Sequence, residues 1–248
     1  MKKILYIFSF IVTLALLAVS CTKDGMSDTS GSGIGGSLAR FTIAANHLYL
    51  ADASDLHVYD LSNPENPVKK ESIYVDWAVE TIFPYGNQLF IGSRNGMYIY
   101  SIANPAKPVK LGQALHLRAC DPVVANDTFA YVTLQGGSAC GSATDGLYIY
   151  NVSKVTEPKQ MSLLEMSTPL GLGLKDSVLF ICRRTNGLSV VNVKDPVKPQ
   201  IMYTRTDAPE YRDVIRIENT LICYVNTGLL LYDVSNLNNI VKIGDMLY

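Results

Sequence analysis

The chain has little of the chemistry on which many enzymes and nucleic-acid-binding proteins depend. Of its 248 residues only three are histidine and one is tryptophan, and the formal net charge is −1. Lysine and arginine are scattered and form no run, so the basic face that nucleic-acid binding usually needs is missing. Nucleic acid is therefore excluded as a partner.

The three histidines also lack partners for metal binding or nucleophilic catalysis. His47 is expected beside a turn, His57 within a strand and His116 in an outer strand. None has a candidate nucleophile or a second metal ligand close to it in the pattern. We expect no metal and no cofactor.

The longest apolar run lies at the N-terminus. The first 20 residues begin with two lysines, continue with apolar residues up to Val19, and end with small residues before Cys21. This arrangement is typical of a secretory signal peptide. The alternative is an uncleaved membrane anchor, but the run is short for a bilayer span of about 20 apolar residues.

The stretch AVSC, which ends at Cys21, resembles a bacterial lipobox, although Ala18 stands where leucine is usual. The resemblance predicts a signal peptide at 1–20 and acylation of Cys21, which would hold the protein at a membrane. Residues 21–36 are rich in Gly, Ser, Thr and Asp and are expected to form a flexible tether. We expect an outer membrane lipoprotein of a Gram-negative bacterium, facing either the periplasm or the cell surface.

From residue 37 onwards the sequence repeats. LHVYDLSNPENPVK at 56–69 returns as MYIYSIANPAKPVK at 97–110, and weaker copies follow. The polar residues that end the apolar phrases are spaced by 41, 50, 41 and 41 positions: Asp60, Ser101, Asn151, Asn192 and Asp233. A period in this range with strand-like content is typical of propeller blades. The sequence predicts an all-β, five-bladed β-propeller of four-stranded antiparallel blades, with units at about 37–77, 78–119, 120–167, 168–207 and 208–248.

The repeated phrase also explains how each unit turns. Its last polar residue can accept hydrogen bonds from the backbone of the following turn. A proline seven residues later starts the outermost strand and removes a donor from an exposed edge. These prolines are Pro67, Pro108, Pro158 and Pro199, with Ile240 in the fifth unit. We interpret the phrase as scaffold. Because each unit supplies its own four strands, we expect the ring to close through side-chain packing between the first and last blades.

The phrases LHVYDLSNPENP, LYIYNV, LSVVNVKDPVKP and LLLYDVSN resemble LVIVD repeats. The resemblance covers about 37–248, which is the whole predicted propeller. It implies an envelope propeller of the kind found in bacteria, often as a lipoprotein of the Bacteroidetes. It implies little about activity, because the repeat defines a fold and not a site.

Two of the five cysteines are predicted to pair. Cys120 lies just before the inner strand of the third unit, and Cys140 lies in a nine-residue insertion on the same face. An exported protein meets an oxidising compartment, so we predict a Cys120–Cys140 disulfide; zinc is the alternative, but two cysteines without histidine make a poor site. Cys182 and Cys223 are interpreted as equivalent positions of neighbouring blades, buried as free thiols and too far apart to bridge.

A polar ring is predicted where the inner strands begin, at one mouth of the central channel. Its candidate ligand-binding residues combine carboxylates, guanidinium groups and aromatic rings: Arg40, Asp76, Trp77, Glu80, Arg118, Asp121, Tyr211, Arg212 and Asp213. Such a mouth suits a polar ligand such as a sugar or a peptide end. The alternative is a solvated rim whose ion pairs contribute little.

These features favour a non-catalytic binding module with a glycan or an envelope protein as its partner. The alternative is a structural accessory of an envelope complex, in which the blade edges make the contacts. Glu80 and Asp121 on neighbouring blades would suit a glycoside hydrolase, but most loops are minimal and Gly171 stands at the matching position of the fourth unit. We expect that the protein is not an enzyme.

Overall fold

The computed structural model describes residues 36–116, 122–136 and 144–248. They lie in one compact unit that spans Gly31–Tyr248. Across these described ranges the regular structure consists of twenty β-strands. In the same ranges no helix is long and apolar enough to cross a membrane. The signal peptide, most of the tether and Cys21 lie outside the described residues, and their predictions stay predictions.

The strands form five four-stranded antiparallel sheets, each made of four consecutive strands. Blade 1 contains β1 (Phe41–Ala44), β2 (His47–Asp52), β3 (Asp55–Asp60) and β4 (Val68–Tyr74). Blade 2 contains β5 (Val79–Tyr85), β6 (Gln88–Ser93), β7 (Gly96–Ser101) and β8 (Val109–Leu115). Blade 3 contains β9 (Val123–Ala125), β10 (Phe129–Leu134), β11 (Gly146–Asn151) and β12 (Lys159–Glu165). Blade 4 contains β13 (Leu172–Lys175), β14 (Val178–Cys182), β15 (Leu188–Asn192) and β16 (Gln200–Arg205). Blade 5 contains β17 (Tyr211–Ile217), β18 (Thr220–Val225), β19 (Gly228–Asp233) and β20 (Val241–Leu247).

The first strand of each blade is innermost, and the inner strands of successive blades adjoin one another from β1 to β17. This arrangement confirms the prediction of an all-β, five-bladed propeller with four antiparallel strands per blade.

The turn after each third strand is held as the repeated phrase predicts. Asp60 Oδ1 accepts a hydrogen bond from the Ser62 NH at 2.8 Å, and Asp233 Oδ1 accepts one from the Ser235 NH at 2.7 Å. The other three phrase-ending residues make the same bond to the residue two positions on: Ser101, Asn151 and Asn192. The four prolines stand directly before the outermost strands β4, β8, β12 and β16. These residues therefore shape the scaffold.

The core is divided among the interfaces between blades. Among the described residues four hydrophobic clusters are found, and each joins two consecutive blades from blade 1 to blade 5. Hydrogen bonds between blades reinforce them. The Tyr49 hydroxyl donates to the Pro105 carbonyl at 2.9 Å, and the Tyr203 hydroxyl donates to the Leu237 carbonyl at 2.9 Å. Blades 1 and 4 thus rest on the turn that follows the third strand of the next blade.

The expected closure by side-chain packing between the first and last blades was wrong. Within the described residues no hydrophobic cluster joins blade 5 to blade 1. The link is made instead by the segment that leads into β1: Ser37 Oγ accepts from the Leu172 NH at 2.7 Å and donates to Asp213 Oδ1 at 3.2 Å. Residues 37 and 38 thus connect the entry of blade 1 to the inner strand of blade 5.

Cys182 and Cys223 are free and buried, as predicted. Their positions are not equivalent, however: Cys182 pairs with Leu188 across blade 4, whereas Cys223 pairs with Leu230 and Val214 in blade 5. The offset turns both thiols into the same cluster between blades 4 and 5. Burial raises the pKa of both thiols, so both are protonated at neutral pH. Cys120 and Cys140 lie outside the described residues.

Candidate functional site

The mouth is the face at which the inner strands begin and at which the turns between second and third strands lie. Arg40 precedes β1, Trp77 and Glu80 lie at the start of β5, and Arg212 lies at the start of β17. Antiparallel order alone places these positions together, as predicted. Arg118 and Asp121 lie outside the described residues.

A shallow depression of about 390 Å³ lies at the mouth between blades 1 and 2. Three of the predicted residues line it: Arg40, Trp77 and Glu80. Arg94, from the turn between β6 and β7, completes it and was missed by the sequence prediction. The sequence could have predicted its position, because the turn between the second and third strands of a blade lies on the same face as the start of the inner strand.

Arg94 ties the polar and aromatic parts of the depression together. Its Nε donates to Glu80 Oε1 at 3.1 Å, and its guanidinium carbon lies 5.5 Å from the centroid of the Trp77 ring. The indole is half-exposed, with 50% of its surface accessible. The result is an aromatic face bordered by one carboxylate and two guanidinium groups, of which Arg40 is exposed.

The backbone of the depression is fixed in an uncommon conformation. Ala53 and Ala78, which both line it, have φ values of 48° and 56°. Non-glycine residues rarely adopt this left-handed region, which costs about 1–2 kcal/mol per residue. Two backbone hydrogen bonds hold it: the Val79 NH donates to the Ala53 carbonyl at 2.6 Å, and the Arg94 NH donates to the Ala78 carbonyl at 3.2 Å. The depression therefore has a preformed floor.

A second charged group lies at the mouth on blades 4 and 5. Glu210 accepts from Arg212 Nη2 at 3.3 Å and lies 3.5 Å from Arg184 Nη1. The Arg212 guanidinium also lies 5.8 Å from the Tyr224 ring centroid. Two arginines share one carboxylate here. Counting both groups, four arginines (Arg40, Arg94, Arg184, Arg212) face two glutamates (Glu80, Glu210).

Three of the predicted mouth residues contact the scaffold instead of facing a ligand: Asp76, Tyr211 and, as described in the next paragraph, Asp213. Asp76 Oδ2 accepts hydrogen bonds from Ser93, Asn95 and Tyr98; burial opposes its ionisation, but these bonds outweigh burial and lower its pKa. The Tyr211 side chain is fully buried, with its hydroxyl 2.8 Å from Asp207 and 2.9 Å from that of Tyr232. Neither group is presented to a ligand.

Asp213 is enclosed at the junction of blade 5 with the segment entering blade 1. Its carboxylate accepts from Ser37 Oγ, from the Leu38 NH at 3.4 Å and from the Val214 NH at 2.9 Å. A Cβ on Gly36 or Gly171 would overlap this carboxylate. Burial is the main effect and raises the pKa of Asp213 to about 6. Its role is to hold the two ends of the blade array together.

A second cavity of about 390 Å³ lies in the channel, between the inner strands of blades 2 to 5. Ser37 stands among its lining residues, and the walls are mainly apolar. Its polar residues lie toward the strand ends opposite the mouth: Tyr85, Asn126, Asp176 and Arg216. Within the described ranges no group of three or more His, Cys, Asp or Glu residues is arranged to hold a metal ion.

Residues 35–75 match the family model of the LVIVD repeat. Together with the five blades, this match confirms the prediction of an LVIVD-repeat β-propeller. The match does not test membrane anchoring or lineage. No curated protein matches the chain.

Solved structures share the fold at low sequence identity. A protein from Lactobacillus plantarum aligns with a TM-score of 0.64 and 12% identity, over 82% of this chain and 68% of that chain. The periplasmic gluconolactonase PpgL of Pseudomonas aeruginosa gives a TM-score of 0.63 and 12% identity over the same shares. A functionally unknown protein from Desulfotomaculum acetoxidans gives 0.67 and 7% identity, over 88% of this chain and 69% of that chain. At such identity these similarities show the fold alone.

The gluconolactonase corrects one prediction. We expected that the chain is not an enzyme because its loops are short and no full set of carboxylates surrounds the channel. That prediction was wrong, because a propeller of similar shape is a gluconolactonase. The propeller fold itself is therefore no argument against catalysis.

Proposed function

We propose that this LVIVD-repeat β-propeller is held at the bacterial envelope by an acylated Cys21 and binds a carboxylate-bearing glycan at its mouth. The observation that carries the proposal is the depression formed by Arg40, Trp77, Glu80 and Arg94. It combines an aromatic face with groups that recognise hydroxyls and carboxylates, on a preformed floor.

Each side chain has a distinct part in this proposal. The half-exposed indole of Trp77 offers an apolar surface to the apolar face of a sugar ring. Glu80 can accept hydrogen bonds from ring hydroxyls, as a carboxylate is an acceptor only. Arg40 presents a planar guanidinium group, which matches a carboxylate in two parallel hydrogen bonds. Arg94 orients the set, because it contacts both Glu80 and the indole.

The charge of the mouth favours an acidic ligand over a neutral one. Two arginines and one glutamate line the depression, so the depression itself has an excess of positive charge. A carboxylate-bearing sugar would meet this excess near the low-dielectric wall of the depression. Glu80 pairs with Arg94, so a neutral sugar would leave the positive charge of Arg40 without a negative partner from the ligand.

The test is titration calorimetry of the protein with matched acidic and neutral oligosaccharides. Wild type is compared with Trp77→Ala and Arg40→Ala, and with Lys194→Ala as a control. Lys194 is exposed in the turn after β15, on the face opposite the mouth, so its loss removes an equal charge away from the site. We expect each mouth variant to weaken acidic-glycan binding at least tenfold, which corresponds to about 1.4 kcal/mol, and the control to bind as wild type.

Two results would contradict the proposal: equal binding of acidic and neutral oligosaccharides, or binding that survives both mouth variants. A protein captured from envelope extract by wild type and lost in both variants would keep the mouth as the site but replace the glycan with a protein partner. Capture that both variants retain would favour the structural accessory that contacts through blade edges. Gluconolactone is also tested as a substrate, because one structural neighbour is a gluconolactonase. Its hydrolysis is measured by the acid that is released.

A further inference from the structure

The cavity between the inner strands of blades 2 to 5, which we call the channel cavity, has two unlike ends. The end toward the mouth is closed. Ser37 and Leu172 line it there and are buried, with 2% and 1% of their surface exposed. The Ser37 hydroxyl is engaged with the Leu172 NH and with the Asp213 carboxylate. The polar groups at this end therefore bind one another.

The middle of the channel cavity is apolar. Its walls carry large side chains from all four blades: Phe83, Val124, Leu174, Val214 and Ile215. The inner strand β13 runs along this stretch with four residues, which span about 13 Å at about 3.3 Å per residue. The volume of about 390 Å³ lies within the range of small-molecule pockets, roughly 300–1,000 Å³. The cavity therefore has the size and the walls for the apolar body of a small molecule.

The end of the channel cavity opposite the mouth is open and polar. Asp176 is exposed there, and the other polar lining residues at this end are partly exposed: Tyr85, Asn126 and Arg216. Burial thus decreases along the cavity from Ser37 to Asp176. A ligand would enter from this end and leave its polar part there, because the opposite end is closed.

Arg216 is held at the open end with its charge unpaired. Its Nε donates to the Leu174 carbonyl at 2.9 Å, and its Nη1 donates to the Glu218 carbonyl at 2.8 Å. Both acceptors are neutral. Among the described residues no carboxylate forms an ion pair with this guanidinium group, and its Nη2 makes no hydrogen bond. Arginine is always charged, and a carboxylate is the partner that its geometry matches.

Asp176 is the carboxylate among the residues that line the cavity. It lies in the turn between β13 and β14 with a φ of 53° and is exposed. Solvent and salt screen the charge of an exposed group more strongly than that of a partly buried one. Arg216 therefore sets the sign of the charge that a ligand meets at the open end, and Asp176 weakens it.

We propose that the channel cavity binds a medium-chain fatty acid, with its carboxylate on Arg216 and its alkyl chain between the inner strands. An extended decanoate chain is similar in length to the apolar stretch of the cavity, and each methylene that the walls bury adds to the affinity. The site lies at the end of the channel opposite the mouth. It does not depend on glycan binding by the depression between blades 1 and 2.

The experiment is titration calorimetry of the protein with decanoate, at concentrations too low for micelles. Decanol and decyltrimethylammonium are the neutral and cationic probes with the same alkyl chain. We expect one decanoate per chain. Decanol should bind roughly tenfold more weakly or worse, because it forms no ion pair with Arg216, and the cationic probe should not bind.

Two charge variants should change decanoate binding in opposite directions. Arg216→Gln should weaken it roughly tenfold or more, whereas Arg216→Lys, which keeps the charge, should retain most of it. Asp176→Asn should strengthen binding, because it removes the negative charge at the open end. Asparagine also tolerates the positive φ of this position, so the turn should be preserved.

Lys69→Gln is the matched control, since Lys69 is exposed in the outermost strand β4 and its loss removes an equal charge far from the channel. It should bind decanoate as wild type does. Absence of saturable decanoate binding would overturn the proposal, as would equal binding of decanoate and decanol. Binding that Arg216→Gln retains would overturn it as well. Circular dichroism of each variant verifies that loss of binding is not loss of fold.

The two sites are separated by titrating decanoate in the presence of a saturating acidic oligosaccharide. The affinity for decanoate should not change, because the depression and the open end of the channel cavity lie on opposite faces. Displacement of decanoate by the oligosaccharide would place decanoate at the mouth and overturn the channel site. Decanoate binding without any oligosaccharide binding would contradict the glycan proposal alone.

Discussion

Gly112 and Gly244 occupy equivalent positions in the outermost strands of blades 2 and 5, where they pair with Ile99 and Leu231. They differ in the atoms that surround them. Gly112 allows the Val155 carbonyl to approach the outer strand of blade 2, whereas Gly244 faces open space. A β-carbon at position 112 would force the turn of blade 3 away from blade 2, and such overpacking typically costs about 1–3 kcal/mol.

We therefore predict that Gly112→Ala lowers the free energy of unfolding by about 1–3 kcal/mol. Gly244→Ala should change it by less than about 0.5 kcal/mol, because the added Cβ meets no atom within 4 Å. Urea denaturation of the two variants gives both values. Equal losses would show that the Val155 carbonyl does not set the requirement for glycine.

The residue scale also shows where prediction from sequence stops. Arg40, Trp77 and Glu80 were placed at the mouth correctly, because antiparallel order fixes which strand ends share a face. Asp76 was misjudged because it lies in the loop before β5, where hydrogen bonds from Ser93, Asn95 and Tyr98 hold it. Tyr211 was misjudged because β17 contains a register shift between Tyr211 and Asp213. A bulge redirects the neighbouring side chains, and nothing in the sequence reveals it.

At the scale of the strands, the fifth unit departs from the repeat for a structural reason. Ile240 stands where the other units have proline before the outermost strand. Its side chain is fully buried between blades 4 and 5. Its NH donates to the Tyr203 hydroxyl at 3.1 Å, which a proline has no hydrogen to do. Blade 5 thus replaces an edge-protecting residue with one that joins two blades.

We predict that Ile240→Pro lowers the free energy of unfolding by about 2–4 kcal/mol, because it removes buried apolar volume and leaves the Tyr203 hydroxyl with one partner fewer. Pro199→Ile, the reverse change at the equivalent position of blade 4, should alter it by less than about 1 kcal/mol. Thermal and urea unfolding of both variants provide the comparison. A tolerated Ile240→Pro would mean that the repeat position is governed by the turn alone.

Strands and blades were predictable because a fixed period and the turn residues report on local structure. Asp60 and its four counterparts each act within two residues of themselves. The openness of the array was not predictable in this way. It depends on the angle accumulated over five blades, and no single unit encodes that angle.

For the whole molecule, Asp213 makes stability depend on pH. Its pKa is about 6 in the folded protein, against about 3.9 for an unfolded aspartate. The folded state therefore binds more protons between these values, and stability falls as pH rises through this window. A difference of about two pKa values corresponds to about 3 kcal/mol.

We predict that the advantage of wild type over Asp213→Asn shrinks by about 2 kcal/mol when the pH is raised from about 4 to about 7. Urea denaturation across this range measures it. Glu65→Gln, which changes an exposed carboxyl group, should show no such trend. A difference between wild type and Asp213→Asn that does not vary with pH would mean that folding leaves the pKa of Asp213 unchanged.

The bond between Ser37 and Asp213 has a consequence for the order in which the protein folds. It joins residues 176 positions apart, whereas each blade pairs strands that are neighbours in sequence. Local contacts of that kind form quickly, and contacts between distant residues form late. During synthesis the N-terminal end emerges first, so Ser37 must wait for almost the entire chain before Asp213 arrives. Until then blades 1 to 4 can be complete, with Ser37 bonded to Leu172 of blade 4, while the first residues of the domain still lack their bond to blade 5.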